Sequence, residues 1–259
     1  MVDIFEEIVK IRSEGGRAAV ATITSVQGST PRGEGSKMLV RSDGSTVGSV
    51  GGGSAEAQVC QEALKVIDDG NARMLSFDLT GKDMAEGGMI CGGNMSVFIE
   101  PIMTSPVLYI FGGGHVSFSI SKIAKMLGFK VVVVDDREEF ANPNRFPEAD
   151  ETIANDFEAV FPKLRINGSS YIVIVTRGHL LDEKVLEWAV KTDAGYVGMI
   201  GSSRKNRTVF SHLESRGISK ELLEAVHAPI GLDIYAETPE EIAVSIMAEI
   251  IMVRRGDKS

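Results

Sequence analysis

The sequence predicts an α/β protein: a small N-terminal α+β domain over residues 1–103, then a Rossmann-like parallel-sheet domain over residues 107–259. Three observations predict it. From residue 107 onward, short apolar runs alternate with helix-patterned segments, as parallel strands do with their crossover helices. The run Val107–Phe111 leads directly into Gly112-Gly113-Gly114-His115 and a helical pattern, the strand–turn–helix order of a dinucleotide-binding fingerprint. Between the halves, Pro101-Ile102-Met103-Thr104-Ser105-Pro106 carries a proline at each end, as a linker does.

Each element follows from its own pattern. Ile4, Phe5, Ile8, Val9 and Ile11 recur with helical period, and Gly15-Gly16 ends that helix. Residues 18–26 are β-branched and apolar, a buried strand. The loop Gly28–Gly33 leads to a strand at 37–41, a turn at Ser42-Asp43-Gly44 and a return strand at 46–50. Gly51-Gly52-Gly53 then precede a helix over 55–69 closed by Gly70. Strands near 73–79 and 96–101 flank the glycine-rich stretch around Cys91. In the second half the spacing predicts strands at 107–111, 130–135, 171–176 and 196–200, with helices over 116–127 and 182–191. Thr238-Pro239-Glu240-Glu241 is a capping box with proline at the first helical position, so a long final helix starts there.

Composition narrows the function. Of 259 residues, 43% are hydrophobic and 24% charged, which describes a globular protein. No apolar run reaches the roughly 18–20 residues of a membrane span, and the acidic N-terminus lacks the basic region of a signal peptide. A cytoplasmic protein is the expectation. The net charge of -9 argues against nucleic acid as the main partner, because phosphate binding draws on clustered Lys and Arg. Two cysteines and four histidines form neither a disulfide framework nor a zinc spacing.

The candidate chemistry sits in the glycine clusters. Gly112 permits a tight turn, Gly114 lets backbone approach a pyrophosphate, and the helix start supplies free N–H groups. Ser117 takes the third small-residue slot of the fingerprint. Asp135 ends the next strand at the spacing of a ribose acceptor, and Arg137 lies near enough to pair with a 2′-phosphate, so both NAD and NADP stay open. His115 either faces the ligand or covers the first helical turn. Gly201, Ser202 and Arg204, after a second strand, form an anion cradle or a plain helix cap. In the first half, Ser29, Arg32, Lys37 and the triplet Gly51, Gly52 and Gly53 make either a phosphate or pterin-pyrophosphate cradle or an empty hairpin tip. Cys91, beside Gly92-Gly93, is either a thiolate able to ligate a soft metal or carry sulfur, or a core residue. Cys60, mid-helix, reads as a small hydrophobe. His179 and Asp182 share one strand end, where Asp182 serves catalysis or caps a helix.

Taken in order, these segments resemble the XdhC/CoxI family of accessory proteins for molybdenum hydroxylases such as xanthine dehydrogenase. The resemblance spans nearly the whole chain. It rests on Gly28–Arg32, Gly35–Val40, Gly51-Gly52-Gly53 with Glu56, Cys91-Gly92-Gly93 and Glu100-Pro101. In the second half it rests on Gly112–Val116, Val133–Arg137, Tyr196-Val197-Gly198, Gly201-Ser202, and His227–Ile234 leading into Thr238–Ala243. The resemblance implies a protein that binds molybdenum cofactor as cargo, promotes its sulfuration with a cysteine desulfurase, and delivers it to a hydroxylase client. It would place Cys91 at the molybdenum or sulfur end and the first-half glycine loops near the pterin phosphate. Two residues depart from the pattern: Ser54 stands where many relatives have cysteine, and Arg177 where relatives often have histidine. The alternatives are an NAD(P)-dependent oxidoreductase or a nucleotide-regulated binding protein. A homodimer is left open.

Overall fold

The computed structural model describes residues 3–78, 93–102 and 104–256. The chain divides into two units, Met1–Thr104 and Ser105–Ser259. Among the described residues no helix is long and apolar enough to cross a membrane.

In the first unit, β1 (Ala18–Gln27) carries small or β-branched residues on both faces, because both are covered. Its partners are β2 (Lys37–Arg41), β3 (Thr46–Gly48), β4 (Arg73–Asp78) and β5 (Asn94–Ile102), in the order β3-β2-β1-β5-β4. Every pairing is antiparallel. Ala19, Ala21 and Ile23 pack with Val59, Ala63 and Val66 of α2 (Gly53–Asp69). Ala18 and Val20 pack with Ile11 of α1 (Ile4–Glu14). The period of two thus divides β1 between two helices.

The second unit is a parallel sheet. Its strands are β6 (Val107–Phe111), β7 (Lys130–Asp135), β8 (Glu151–Ala154), β9 (Ser170–Ile174) and β10 (Tyr196–Met199). They lie in the order β10-β9-β6-β7-β8, all parallel. Counted from the start of this unit, that order is 5-4-1-2-3, the doubly wound Rossmann arrangement read from the far edge. The order reverses direction between β6 and β9, which is where such sheets open a crevice at their carboxyl ends. One face is covered by α3 (His115–Met126) and α8 (Pro239–Gly256). The other is covered by α4 (Phe157–Val160), α5 (His179–Ala189), α6 (Ser203–Ser215) and α7 (Lys220–Glu224). Beside β10, residues 227–230 extend the ladder: Met199 N donates to His227 O at 2.9 Å and Ile230 N to Met199 O at 3.0 Å.

Glu249 of α8, 7% exposed, ties this edge down. It accepts from the Tyr196 hydroxyl at 2.5 Å and from Gly231 N at 3.0 Å. Burial, reinforced by the adjacent carboxylate, pushes the Tyr196 hydroxyl far above its ordinary pKa. Tyr196→Phe is expected to lower stability by about 1–3 kcal/mol, since a buried carboxylate loses one of its donors. Urea unfolding of the two proteins checks this; equal midpoints would remove Tyr196 from the account.

Candidate functional site

The glycine turn after β6 is built by close packing. Gly112 has φ 109°, and a methyl group there would overlap the Val175 carbonyl on the neighbouring strand exit. A methyl on Gly113 would overlap the Phe140 carbonyl oxygen. Gly114 differs: it caps α3, no side chain bonds to that helix start, and a methyl on it would meet nothing within 4 Å. Space and free N–H groups therefore coincide at the glycine that the fingerprint reserves for close backbone approach to a phosphate. Ser117, fully buried, donates its hydroxyl to Gly112 O at 2.5 Å, so the polar residue in the third slot fastens the turn from beneath. His115 is exposed in the first turn of α3.

Around this turn the structure gathers charge. Asp135, 2% exposed, accepts from Gly113 N at 2.8 Å and, at 2.9–3.1 Å, from the backbone N, Nε and Nη2 of Arg137. Burial raises the pKa of Asp135, but the Arg137 side chain and the backbone N–H of Gly113 and Arg137 outweigh it and hold the carboxyl below its usual range. The acid assigned to a ribose is thus already bonded within its own loop. Arg145, which no sequence motif marks, donates from Nε to Gly113 O at 2.9 Å. It lies 32 residues beyond the turn it supports, too far for any local pattern to flag. Arg177, after β9, reaches Asp136, after β7, at 2.6 Å, so an ion pair joins the strands on either side of β6.

At the β9 and β10 ends a second set forms. Asp182, fully buried, accepts from the Thr176 hydroxyl at 2.6 Å and Thr176 N at 3.1 Å. Its other oxygen receives Lys205 Nζ at 2.7 Å. Asp182 therefore orients a lysine rather than capping α5, whose start at Gly178 has no side-chain cap. Ser202 is the N-cap of α6, accepting from Lys205 N at 3.3 Å, while Arg204 is exposed. The cation bound into this edge is Lys205, one residue beyond the arginine singled out in the sequence. Asn206, 2% exposed, donates to Gly201 O at 3.3 Å and keeps a buried Oδ1 without a partner.

In the first unit, three of the glycine segments meet at one end of the antiparallel sheet. A methyl on Gly51 would stand 3.2 Å from Pro31 Cβ, and one on Gly93 would stand 2.7 Å from Ser29 O. Ser29 and Arg32 are exposed; Lys37 donates to the Thr22 hydroxyl at 2.9 Å. The Gly51-Gly52-Gly53 nest is partly filled from within. Glu56 accepts from Gly52 N at 2.9 Å, Val50 N at 3.3 Å and the Ser49 hydroxyl at 2.7 Å. The anion held there is the chain's own carboxylate. A polar groove of about 360 Å³, lined by Ser25, Gln27, Ser76, Asn94 and Ser96 among others, runs along the same strand ends. Cys91 lies outside the described residues, two positions before Gly93. Among the described residues no three His, Cys, Asp or Glu side chains gather as a metal site.

Residues 108–250 match the model of the XdhC Rossmann domain, and residues 11–78 match that of the XdhC and CoxI family. The chain belongs to the XdhC/CoxI family. The parallel sheet and its glycine turn are the XdhC Rossmann domain; Cys91 falls between the two matched stretches. A protein of Escherichia coli K12, YqeB, is 35% identical over 98% of this chain, which spans about half (47%) of that relative's length. The molybdenum cofactor insertion chaperone PaoD of the same organism is 23% identical, over 95% of this chain and 86% of its own. A protein of Bacillus subtilis, described as a probable xanthine dehydrogenase component, is also 23% identical, over 92% of this chain and 93% of its own. A crystal structure described as a xanthine dehydrogenase from Bacillus halodurans superposes with a TM-score of 0.52 and 25% identity, covering 98% of this chain and 96% of that one.

Proposed function

We propose that this chain is an accessory protein that takes molybdenum cofactor as cargo and assists its insertion into a molybdenum hydroxylase. The observation that carries the reading is the meeting of Gly28–Gly33, Gly51–Gly53 and Gly93 at one end of the first sheet, beside a polar groove. Hydroxyl and amide side chains there suit the hydrogen-bonding edge of a pterin, and exposed Arg32 suits its phosphate. The whole-length similarity to PaoD supports the same cargo. Cys91, two residues before Gly93, is assigned to the molybdenum or sulfur end, with a cysteine desulfurase as sulfur donor.

The second unit is assigned to a nucleotide, NAD or NADP, bound in the β6–β9 crevice. The uncapped start of α3 and the open space at Gly114 fit a pyrophosphate. In this role the nucleotide regulates or orders the protein.

Titration of the purified protein with molybdenum cofactor, followed by activation of an apo-hydroxylase, tests the reading. Wild type is expected to bind and activate, and Cys91→Ala to bind while losing most of the activation. Absence of binding by wild type ends the cargo assignment; full activation by Cys91→Ala removes the cysteine from it.

A further inference from the structure

The state of Asp135 bears on which nucleotide enters the crevice, an inference that rests on the nucleotide reading above. An ionised carboxylate has about four acceptor positions, and here four N–H groups take them: Gly113 N and three from Arg137. A ribose with a free 2′,3′-diol must donate two hydrogen bonds to this carboxylate. To do so it must displace the Arg137 guanidinium, whose Nε and Nη2 already occupy the paired positions that two hydroxyls would take. That exchange trades a charge-assisted bidentate pair for two neutral donors and leaves the arginine only its longer contact with Asp136, at 3.7 Å.

The cations around it point the other way. The Arg137 guanidinium lies 3.6 Å from the centre of the Phe140 ring, and Arg145 lies 5.2 Å from the centre of the same ring. Arg145 has one donor on Gly113 O and no carboxylate partner among the described residues. Asp136 is drawn to Arg177 at 2.6 Å, while Glu138 and Glu139 are exposed to solvent, where their repulsion is screened. Asp135 and Asp136 are thus matched by Arg137 and the exposed Arg177, and the partly buried Arg145 is the cation of this group that has no carboxylate of its own.

We propose that the second unit selects a 2′-phosphorylated adenine dinucleotide, the phosphate meeting Arg145 and the free edge of Arg137 while Asp135 keeps Arg137 in place. Asp135 is on this account a positioning residue, and Arg137 and Arg145 set the specificity.

Isothermal titration of the full chain with NADP and with NAD tests it. NADP is expected to bind at least tenfold tighter. Arg145→Ala should weaken NADP at least tenfold more than it weakens NAD, with Arg145→Lys restoring part of the NADP loss. Arg137→Ala uncovers the Asp135 carboxylate, so it should weaken NADP and strengthen NAD, a reversal that a general loss of structure cannot produce. Equal or tighter binding of NAD by wild type overturns the selectivity and leaves the nucleotide reading standing, as does an Arg137→Ala variant that weakens both ligands alike. Failure of wild type to bind either nucleotide overturns the nucleotide reading itself.

Discussion

Gly113→Ala is expected to lower the stability of the protein by about 3 kcal/mol, the larger of two adjacent and outwardly similar substitutions. The added methyl would occupy the place of the Phe140 carbonyl oxygen, a backbone atom that no rotamer change can move. Relief requires the loop after β7 to retreat. Its retreat strains the bonds that Gly113 makes on both sides, its N–H to Asp135 and its carbonyl to Arg145. Gly114→Ala is the contrast. Its φ is −71° and its methyl would enter open space, so the loss should stay within about 1 kcal/mol, chiefly that of a poorer N-cap. The same change fills the room in front of α3 and should weaken nucleotide binding. Urea unfolding of the two variants separates the effects; equal losses of stability would show that the turn is not packed as described.

Asp182→Ala is expected to cost about 3 kcal/mol, on the scale of breaking a buried ion pair. Three donors converge on this fully buried carboxylate, and its removal strands the Thr176 hydroxyl and N–H as well as Lys205. The lysine side chain is 32% exposed and regains some hydration, which keeps the loss below the top of the range. A double-mutant cycle with Lys205→Met isolates the pair: both single changes should be costly, and the double change should cost less than their sum. Strict additivity would mean that Asp182 and Lys205 do not act together.

The fold was readable because its signals are local. β6, the glycine turn and α3 follow one another within twenty residues, and the capping box Thr238–Glu241 forms as the pattern requires, Glu241 accepting from Thr238 N at 3.0 Å. β8 gave no such signal, for a physical reason. Glu151-Thr152-Ile153-Ala154 is a short edge strand, only half buried, and carries too few apolar residues to stand out from a loop. α5 begins at His179, three residues before the apolar period suggests, because Gly178 starts the helix without a recognisable cap.

The candidate residues were legible as a set and not as partners. Spacing alone marked Asp135 and Arg137 as alternatives for recognising two kinds of ribose, whereas they are bonded to each other. Glu56 stands with the glycine triplet in one motif, but only the structure shows that its carboxylate fills the nest those glycines form. Arg145 and Lys205 acquire their places only through contacts separated by 32 and 23 residues, a distance over which no periodicity reports.

The position of α8 in the chain has a consequence for biosynthesis. Ala243, Ile246, Met247 and Ile250 complete the apolar layer beneath α3, although all five strands of that sheet precede them. During translation the strands and the glycine turn therefore emerge with that face covered by α3 alone, until residue 250 has left the ribosome. The pairings of the antiparallel sheet, by contrast, are all encoded within the first 102 residues. The first unit can close while the second is still being made. Any nascent chain stalled between the two points would display a finished first unit and an unfinished second one.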